Sequence, residues 1–485
     1  MKLGNTAVVL GGSAAGLCAA GALAPYFDRV VVLERDELPA QAQHRRGVPQ
    51  SKHPHFLLNS GRRAIGQLFP GFEEDLVAAG GLHLMPSMDA AYLDGEGWSA
   101  RKRSAMTMIY SSRPLIERVL RDKVKELATV TIREKVTVHG LTTRDGAVTG
   151  VGLAGGEHLD ADFVVDAMGR GSSVGAWLVA AGWPELATQT LDAKVTYTSR
   201  WYELPDERPP SWWWQHLVIM PTRDKGQHPD EHEFLVNFFP IEGNRAIACM
   251  GSWGLDMPRT EDTFVESARR VRAPLFAAAM DHCTPTSEVH LTRSTGNTWR
   301  RYDRWASPPR GLAFVGDSIC AFNPFYAQGI SSAALSALLL REHLSRAAHL
   351  DAAFAKRFLT AQRRLLAVPW RLAMARDQGY ACAVGTEKPP EWRRRVLAAV
   401  GDPAFSFIVG AAREDPVVDE HFAKVFNLDE SLGDMLGNPG VLARLVRYGI
   451  RAALGRRRVP FGFDANAEPP VTDYSSVGTP AAAAR

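Results

Sequence analysis

The sequence lacks paired cysteines. Its five, Cys18, Cys249, Cys283, Cys320 and Cys382, are scattered, odd in number and free of CxxC or metal-ligand spacing. That excludes a disulfide framework and a cysteine zinc site, and points to a reducing compartment, the cytoplasm. An excess of one charge is also missing: 56 basic side chains face 53 acidic ones, a formal net charge of +3. A nucleic-acid binder with a concentrated basic footprint is therefore not expected. Arg393-Arg394-Arg395 and Arg456-Arg457-Arg458 read as solvated helix faces or ends, with a membrane-surface role left open. Uninterrupted apolar runs approaching the ~20 residues of a membrane span are absent too, so no stable span is expected. Lys2, the apolar run from Thr6 to Leu23 and the segment Ala22-Leu23-Ala24 imitate a signal peptide. Cleavage there would remove a glycine turn and leave the following strand unpartnered, so the segment is read as part of the fold.

What is present is a pair of glycine motifs. The first, Val8-Val9-Leu10-Gly11-Gly12-Ser13-Ala14-Ala15-Gly16, reads as a buried strand running into a helix. Small residues at such a turn let the backbone approach a pyrophosphate, and the helix N-terminus supplies oriented N–H donors. Ser13 stands where the usual pattern has its middle glycine. Glu34 follows at the end of Val30-Val31-Val32-Leu33, the spacing expected of an acid that accepts hydrogen bonds from an adenosine ribose. The second motif, Gly311-Leu-Ala-Phe-Val-Gly316-Asp317, comes far downstream, and between them Phe163-Val164-Val165-Asp166 ends in the turn Ala167 to Ser173. Three strand ends with compatible chemistry imply one dinucleotide site, with FAD as the expected cofactor.

Other segments carry open readings. The basic loop Gln43 to His55 either folds over the cofactor or is a solvated connection. Ser112-Arg113-Pro114 predicts a helix start with a serine cap, and Arg113 faces either solvent or a phosphate. Arg144-Asp145-Gly146 between β-rich runs predicts a hairpin. Between about 188 and 300 the sequence turns strand-like and aromatic. If Trp212 to Trp214 is extended, Trp212 and Trp214 share one side and Trp213 takes the other, lining either a core or a pocket. The loop Asn323 to Gly329 feeds a small-residue helix, which suits an anionic group or a flavin carbonyl.

These patterns predict an α/β fold: a Rossmann-like FAD-binding domain with an inserted β-rich substrate domain and a C-terminal helical region. The boundaries are 1–187 and 301–345 for the FAD-binding parts, 188–300 for the insert, 346–463 for the helices and 464–485 for a disordered tail, where apolar content is low.

Together the motifs resemble the FAD-dependent monooxygenases of the aromatic-hydroxylase superfamily. Arg46-Gly-Val-Pro-Gln50-Ser-Lys-His53-Pro-His55 and Gly316 to Gly329 are similar to the actinobacterial flavin epoxidases that act on polyketide chains. The similarity covers about residues 6 to 345. It departs from the family at Ser13 and at Ala167-Met168, which puts the subfamily in doubt. The resemblance implies FAD held by Gly11, Gly12, Ser13, Ala15, Gly16, Glu34, Arg35, Arg46, Arg113, Asp166, Gly169, Gly316, Asp317, Gln328, Gly329 and Ile330. It implies Gln50, His53, Asn323 and Pro324 at the flavin face, and Trp201, Trp212, Trp214, Phe239 and Tyr326 toward substrate. The implied reaction passes through a flavin C4a-hydroperoxide and inserts one oxygen atom of O₂, by epoxidation or hydroxylation, into a lipophilic natural-product intermediate. No metal is called for. NADH or NADPH would be the reductant, directly or through a separate flavin reductase, since no second dinucleotide fingerprint is present. The rival readings are a flavin halogenase, of whose Trp-x-Trp-x-Ile-Pro segment Trp212 to Leu217 copies only the tryptophans, and a non-catalytic flavin-binding protein.

Overall fold

The computed structural model describes residues 2–95, 97–221, 234–293, 295–456 and Pro469. The expected disordered tail, Pro469 excepted, lies outside the described residues, as do Arg457 and Arg458 of the second basic cluster.

Four short runs that are apolar on both faces, with the half-buried Val130–Arg133 at one edge, build a five-stranded parallel sheet. Its strand order is Leu312–Phe314, Phe163–Asp166, Gly4–Leu10, Phe27–Leu33 and Val130–Arg133. The register sets Leu10 beside Asp166 on one side and Leu33 on the other, and Asp166 beside Phe314. All three sequence motifs therefore leave the sheet at the same edge. Helices Ala14–Leu23 and Gly329–Ser345 pack together against one face, burying Leu17, Leu23, Ala334 and Leu340. Both are rich in alanine, which allows the close approach.

The second sheet is eight-stranded and mostly antiparallel. Its centre is Val195–Glu203, Arg245–Trp253, Leu235–Ile241 and His216–Ile219. Beyond His216–Ile219 it continues into Ala90–Asp94, paired in parallel, and Gly97–Trp98. These last strands come from outside the segment 188–300 and were not singled out in the sequence. Alternation divides the sheet cleanly. One face carries Val236, Phe238 and Met250, which pack with Phe264 and Phe276 of helices Glu261–Arg269 and Leu275–Asp281. The opposite face carries Trp201, Phe239 and Ile247, clustered with Leu58, Tyr110 and, at its margin, Ala327.

A smaller sheet joins Thr188–Leu191, Asn297–Arg300 and Cys320–Ala321, tying the loop after the second motif to the large sheet's neighbourhood. The expected hairpin is Val138–Arg144 with Ala147–Leu153, turned by Asp145 and Gly146 at φ 49° and 74°. Helix Ala352–Asp377 crosses the edge of the parallel sheet, where Gln362 Nε2 donates to Phe314 O at 2.7 Å. Beyond it and the exposed helix Glu391–Val396, helices Asp402–Glu414, Pro416–Phe426, Leu432–Gly437 and Pro439–Ala453 gather around Val418, Met435 and Val441. Taken as one stretch, Glu391–Glu414 is, among the described residues, the one helix long and apolar enough by length and composition to cross a membrane. A quarter of its apolar window is buried.

Candidate active site

The strand Gly4–Leu10 ends in a turn that demands glycine. Gly11 has φ +102°, and a Cβ there would stand 2.7 Å from Ala167 O. A Cβ on Gly16 would stand 1.8 Å from Gly11 O, so turn and helix close on each other only without side chains. The Gly12 amide donates to Glu34 Oε2 at 2.8 Å, and the Asp36 amide to Glu34 Oε1 at 3.0 Å. Ser13 stands in extended backbone just before helix Ala14–Leu23, and its side chain does not cap the helix. Its hydroxyl accepts from Arg113 Nη2 at 2.8 Å and donates to Glu117 Oε1.

Arg113 begins the helix Arg113–Lys125, where Ser112 Oγ accepts the Leu115 amide as the sequence predicts. It faces neither bulk solvent nor an isolated pocket: it pairs with Glu117 at 2.7 Å. Burial works to raise the Glu117 carboxyl, but Arg113 and Arg45 outweigh it and hold the pKa at about 2. Arg45 lies within 2.8 Å of Asp36, and 3.3 Å of both Glu34 and Glu117. Its Nη2 is buried without a hydrogen-bond partner. A buried guanidinium with a free N–H pair, beside the acid that ends the second strand, is built to receive an oxygen acceptor.

The second motif closes the same site. Gly316 has φ +66°, and a Cβ there would stand 2.8 Å from Ala15 Cβ, so the two glycine motifs touch. Asp317 Oδ2 faces Arg170 Nε at 3.4 Å. Arg300 fastens the two turns, donating to Asp317 O at 3.2 Å, Ser318 O at 2.9 Å and Arg170 O at 2.7 Å. Asp166 is fully buried and accepts from Ser172 Oγ at 2.5 Å and the Met168 amide at 3.0 Å. Burial pushes its pKa up to about 6. Gly169 follows at φ +75°. Gln328, 1% exposed at the N-terminus of helix Gly329–Ser345, leaves both side-chain amide atoms without a partner.

The large sheet faces this site across two loops. From the first, His53 Nδ1 meets Ser199 Oγ at 2.8 Å, and Lys52 O accepts from Trp201 Nε1 at 2.9 Å. Burial, reinforced by His55, His290 and Lys52, lowers the His53 pKa to about 3, so its imidazole is neutral. From the second, Asn323 takes the Phe325 amide on its Oδ1 at 3.0 Å and donates its own amide N–H to Asn297 Oδ1 at 2.7 Å. Phe56 and Tyr110 pack on Phe239 with ring centroids at 4.7 and 5.0 Å. Among these rings sits one polar chain: His216 contacts Asn237 Oδ1 at 2.6 Å and Tyr110 Oη at 3.3 Å. The surroundings are apolar, with a few placed polar groups.

The profile of the FAD binding domain family matches residues 5–376 of this chain. The protein belongs to the FAD-binding-domain family. Protein Rv3254 of Mycobacterium tuberculosis is 31% identical over 477 residues, covering 94% of this chain and 97% of its own. Among solved structures, the flavin-dependent brominase Bmp2 superposes with a TM-score of 0.63 at 12% identity, over 93% of this chain and 100% of that one. The p-nitrophenol 4-monooxygenase PnpA of Pseudomonas putida gives 0.60 at 17%, over 88% and 99%. The α/β fold with its β-rich insert and C-terminal helices is thus one that FAD-dependent monooxygenases and halogenases share.

Measured against this FAD-binding fold, the residues singled out in the sequence divide. Gly11, Gly12, Ser13, Ala15, Gly16, Glu34, Asp166, Gly169, Gly316, Asp317, Gln328, Gly329 and Ile330 gather along the ends of four adjacent strands and the helices that follow, and Arg113 joins them through Ser13. Arg35 and Arg46 stand exposed, and Arg45 enters the buried acid cluster instead. Gln50 and Pro324 are exposed, whereas His53 and Asn323 are buried. Trp201 and Phe239 are buried on the side of the large sheet that meets the loops, and Tyr326 is buried in a separate cluster that includes Tyr197 and Trp253. Trp212 and Trp214 are not with them: their rings, 4.9 Å apart, pack on Phe238 beneath the far face. Of the two readings open for that pair, the packing supports the core. Trp213 is half-buried at the margin of the same cluster, with the Arg101 guanidinium 4.2 Å above its ring.

Arg45, Glu117, Arg170 and Arg300 escaped the sequence reading. Glu117 had a signal, since it lies one helical turn after Arg113. Arg170 sits inside a glycine turn already marked as a ligand edge. Arg300 has no local signature, because its partners are carbonyls of two separate turns.

Proposed function

We propose that this protein is an FAD-dependent monooxygenase that inserts one atom of O₂ into a lipophilic small molecule, by epoxidation of a C=C bond or hydroxylation of an aromatic ring. The observation that carries the reading is the contact between the two glycine turns, at Gly316 and Ala15, below an apolar sheet face. Bound and reduced, FAD supplies the electrons that activate O₂.

The chain's residues take the remaining tasks. The Gly11 to Gly16 turn and the N-terminus of Ala14–Leu23 receive the pyrophosphate, with Arg113 held close by Ser13 and Glu117. Glu34 and the free Nη2 of Arg45 hold the adenosine ribose. Asp317 and the unpartnered Gln328 amide hold the opposite half of the cofactor. His53, neutral and pinned to Ser199, shapes the wall without adding charge. Trp201, Phe239 and Tyr326 supply an apolar surface that excludes water and accepts a natural-product intermediate of polyketide type. NADH or NADPH delivers the electrons, directly or through a flavin reductase.

Turnover under ¹⁸O₂ with a flavin-reducing system, chloride and bromide present, and a panel of lipophilic polyenes and phenols tests the assignment. One labelled oxygen in the product is expected. A halogenated, unlabelled product would move the protein to the halogenases, and folded protein without affinity for FAD would overturn the reading outright.

A further inference from the structure

Asp377 is the last residue of helix Ala352–Asp377 and is fully buried. Its carboxylate meets three side-chain donors drawn from three separate segments. Asn297 Nδ2 lies at 2.7 Å, Asn323 Nδ2 at 3.0 and 3.2 Å from the two oxygens, and Trp253 Nε1 at 3.4 Å. The orientation of both asparagines is dictated by backbone. Asn297 Oδ1 is taken by the Asn323 amide, and Asn323 Oδ1 by the Phe325 amide. Each must therefore turn its NH₂ toward Asp377, and only a group that accepts without donating completes the node. Arg376 stacks over Trp253 at 4.4 Å and Phe325 at 5.4 Å, placing a cation at the rim of the same cluster.

We infer that Asp377 is a positioning residue: its buried carboxylate, acting through Asn323 and Asn297, sets the backbone of the Asn323–Gln328 loop at the flavin face. The inference rests on the flavin reading above. It extends that reading to a helix whose chemistry no glycine motif announces. The node holds the first residue of the loop, ahead of the 3-10 turn Pro324–Tyr326, which ends with Ala327 in left-handed backbone at φ +54° and is otherwise held by the Ala327 amide on Pro324 O and by Phe325 packed on Trp253. A carboxylate held by three converging donors can fix it more firmly than one hydrogen bond would.

The test compares Asp377→Asn with the wild-type flavoprotein. The new amide would turn an NH₂ toward at least one of the donors and break the node. Hydrogen exchange in a peptide spanning 322–328 is expected to quicken about ten-fold or more, the loss of one charge-assisted hydrogen bond. The visible spectrum and midpoint potential of bound FAD should shift while FAD remains bound, which general destabilisation would not produce. The exchanged pair D377N/N323D keeps one carboxylate in the node. There, position 323 still accepts the Phe325 amide and the amide at 377 donates to it, so loop protection should return. Folded, FAD-loaded Asp377→Asn with wild-type exchange and spectrum would overturn the inference. Should that variant fail to fold, recovery by the exchanged pair supports the node and failure of both overturns it. A wild-type protein that binds no FAD would remove the flavin reading, while exchange in 322–328 would still judge the node.

Discussion

Two residues of the nucleotide edge differ in kind. Gly11 is required by backbone at φ +102° and by the 2.7 Å approach to Ala167 O, so Gly11→Val both strains the turn and fills the cofactor's approach. Asp317 offers hydrogen bonds worth about 1 to 3 kcal/mol. Flavin titration of the two apoproteins is therefore expected to find no measurable affinity for Gly11→Val and a weakened but measurable one for Asp317→Ala. Equal affinities would contradict both roles. His216 gives a second prediction, in stability. Burial lowers its pKa from 6.5 to about 4, against the opposing pull of the Asn237 hydrogen bond. The unfolded chain takes up a proton near 6.5 and the native state does not until about 4. The stabilisation is therefore complete above about pH 6.5 and drains away as pH falls. Between about pH 7.5 and pH 5 this amounts to roughly 2 kcal/mol. Thermal melts at those two pH values should show His216→Gln losing less than the wild type on acidification. Identical losses would mean that His216 is protonated in the native protein.

At the scale of elements, the large sheet separates two functions by its pleat. Trp214 and Phe238 point into the core shared with Phe264 and Phe276, while Phe239, one residue on, points to the loops. Trp214→Ala should cost about 3 to 5 kcal/mol in denaturant unfolding and leave FAD affinity intact when folded. Trp201→Ala, also buried, should lose comparable stability, but in the folded protein it should weaken binding of the lipophilic substrate while FAD affinity holds, by equilibrium titration. If Trp201→Ala releases FAD instead, its indole holds the His44–Lys52 loop and no substrate. The same pleat explains what could be read beforehand. Glycine turns, the Ser112 cap and the Asp145-Gly146 hairpin were legible because each is decided by backbone conformation within a few residues. Alternation likewise told that Trp212 and Trp214 share a side, but not which side is core, since that depends on helices some fifty residues later. Strands Ala90–Asp94 and Gly97–Trp98 were missed because seven residues carry too little pattern to declare a sheet. Arg45 was passed over for its neighbour Arg46 because nothing local distinguishes adjacent arginines in an irregular loop.

For the whole molecule, the contact between Gly316 and Ala15 spans about 300 residues of chain. The parallel sheet has the same property, since Leu312–Phe314 docks beside Phe163–Asp166 and completes the edge on which Asp317 sits. On the ribosome the nucleotide-facing half of this edge emerges early, but its closing turn leaves the exit tunnel only after more than 316 residues have been made. At ~5 to 20 residues per second that is a delay of roughly 15 to 60 s. Arg45, Glu117 and the first glycine turn are therefore made about 200 residues or more ahead of the turn that closes the site on them. Flavin capture belongs to the last moments of translation or after release, and free FAD acts on the finished chain as a ligand that favours the native state over earlier, open ones.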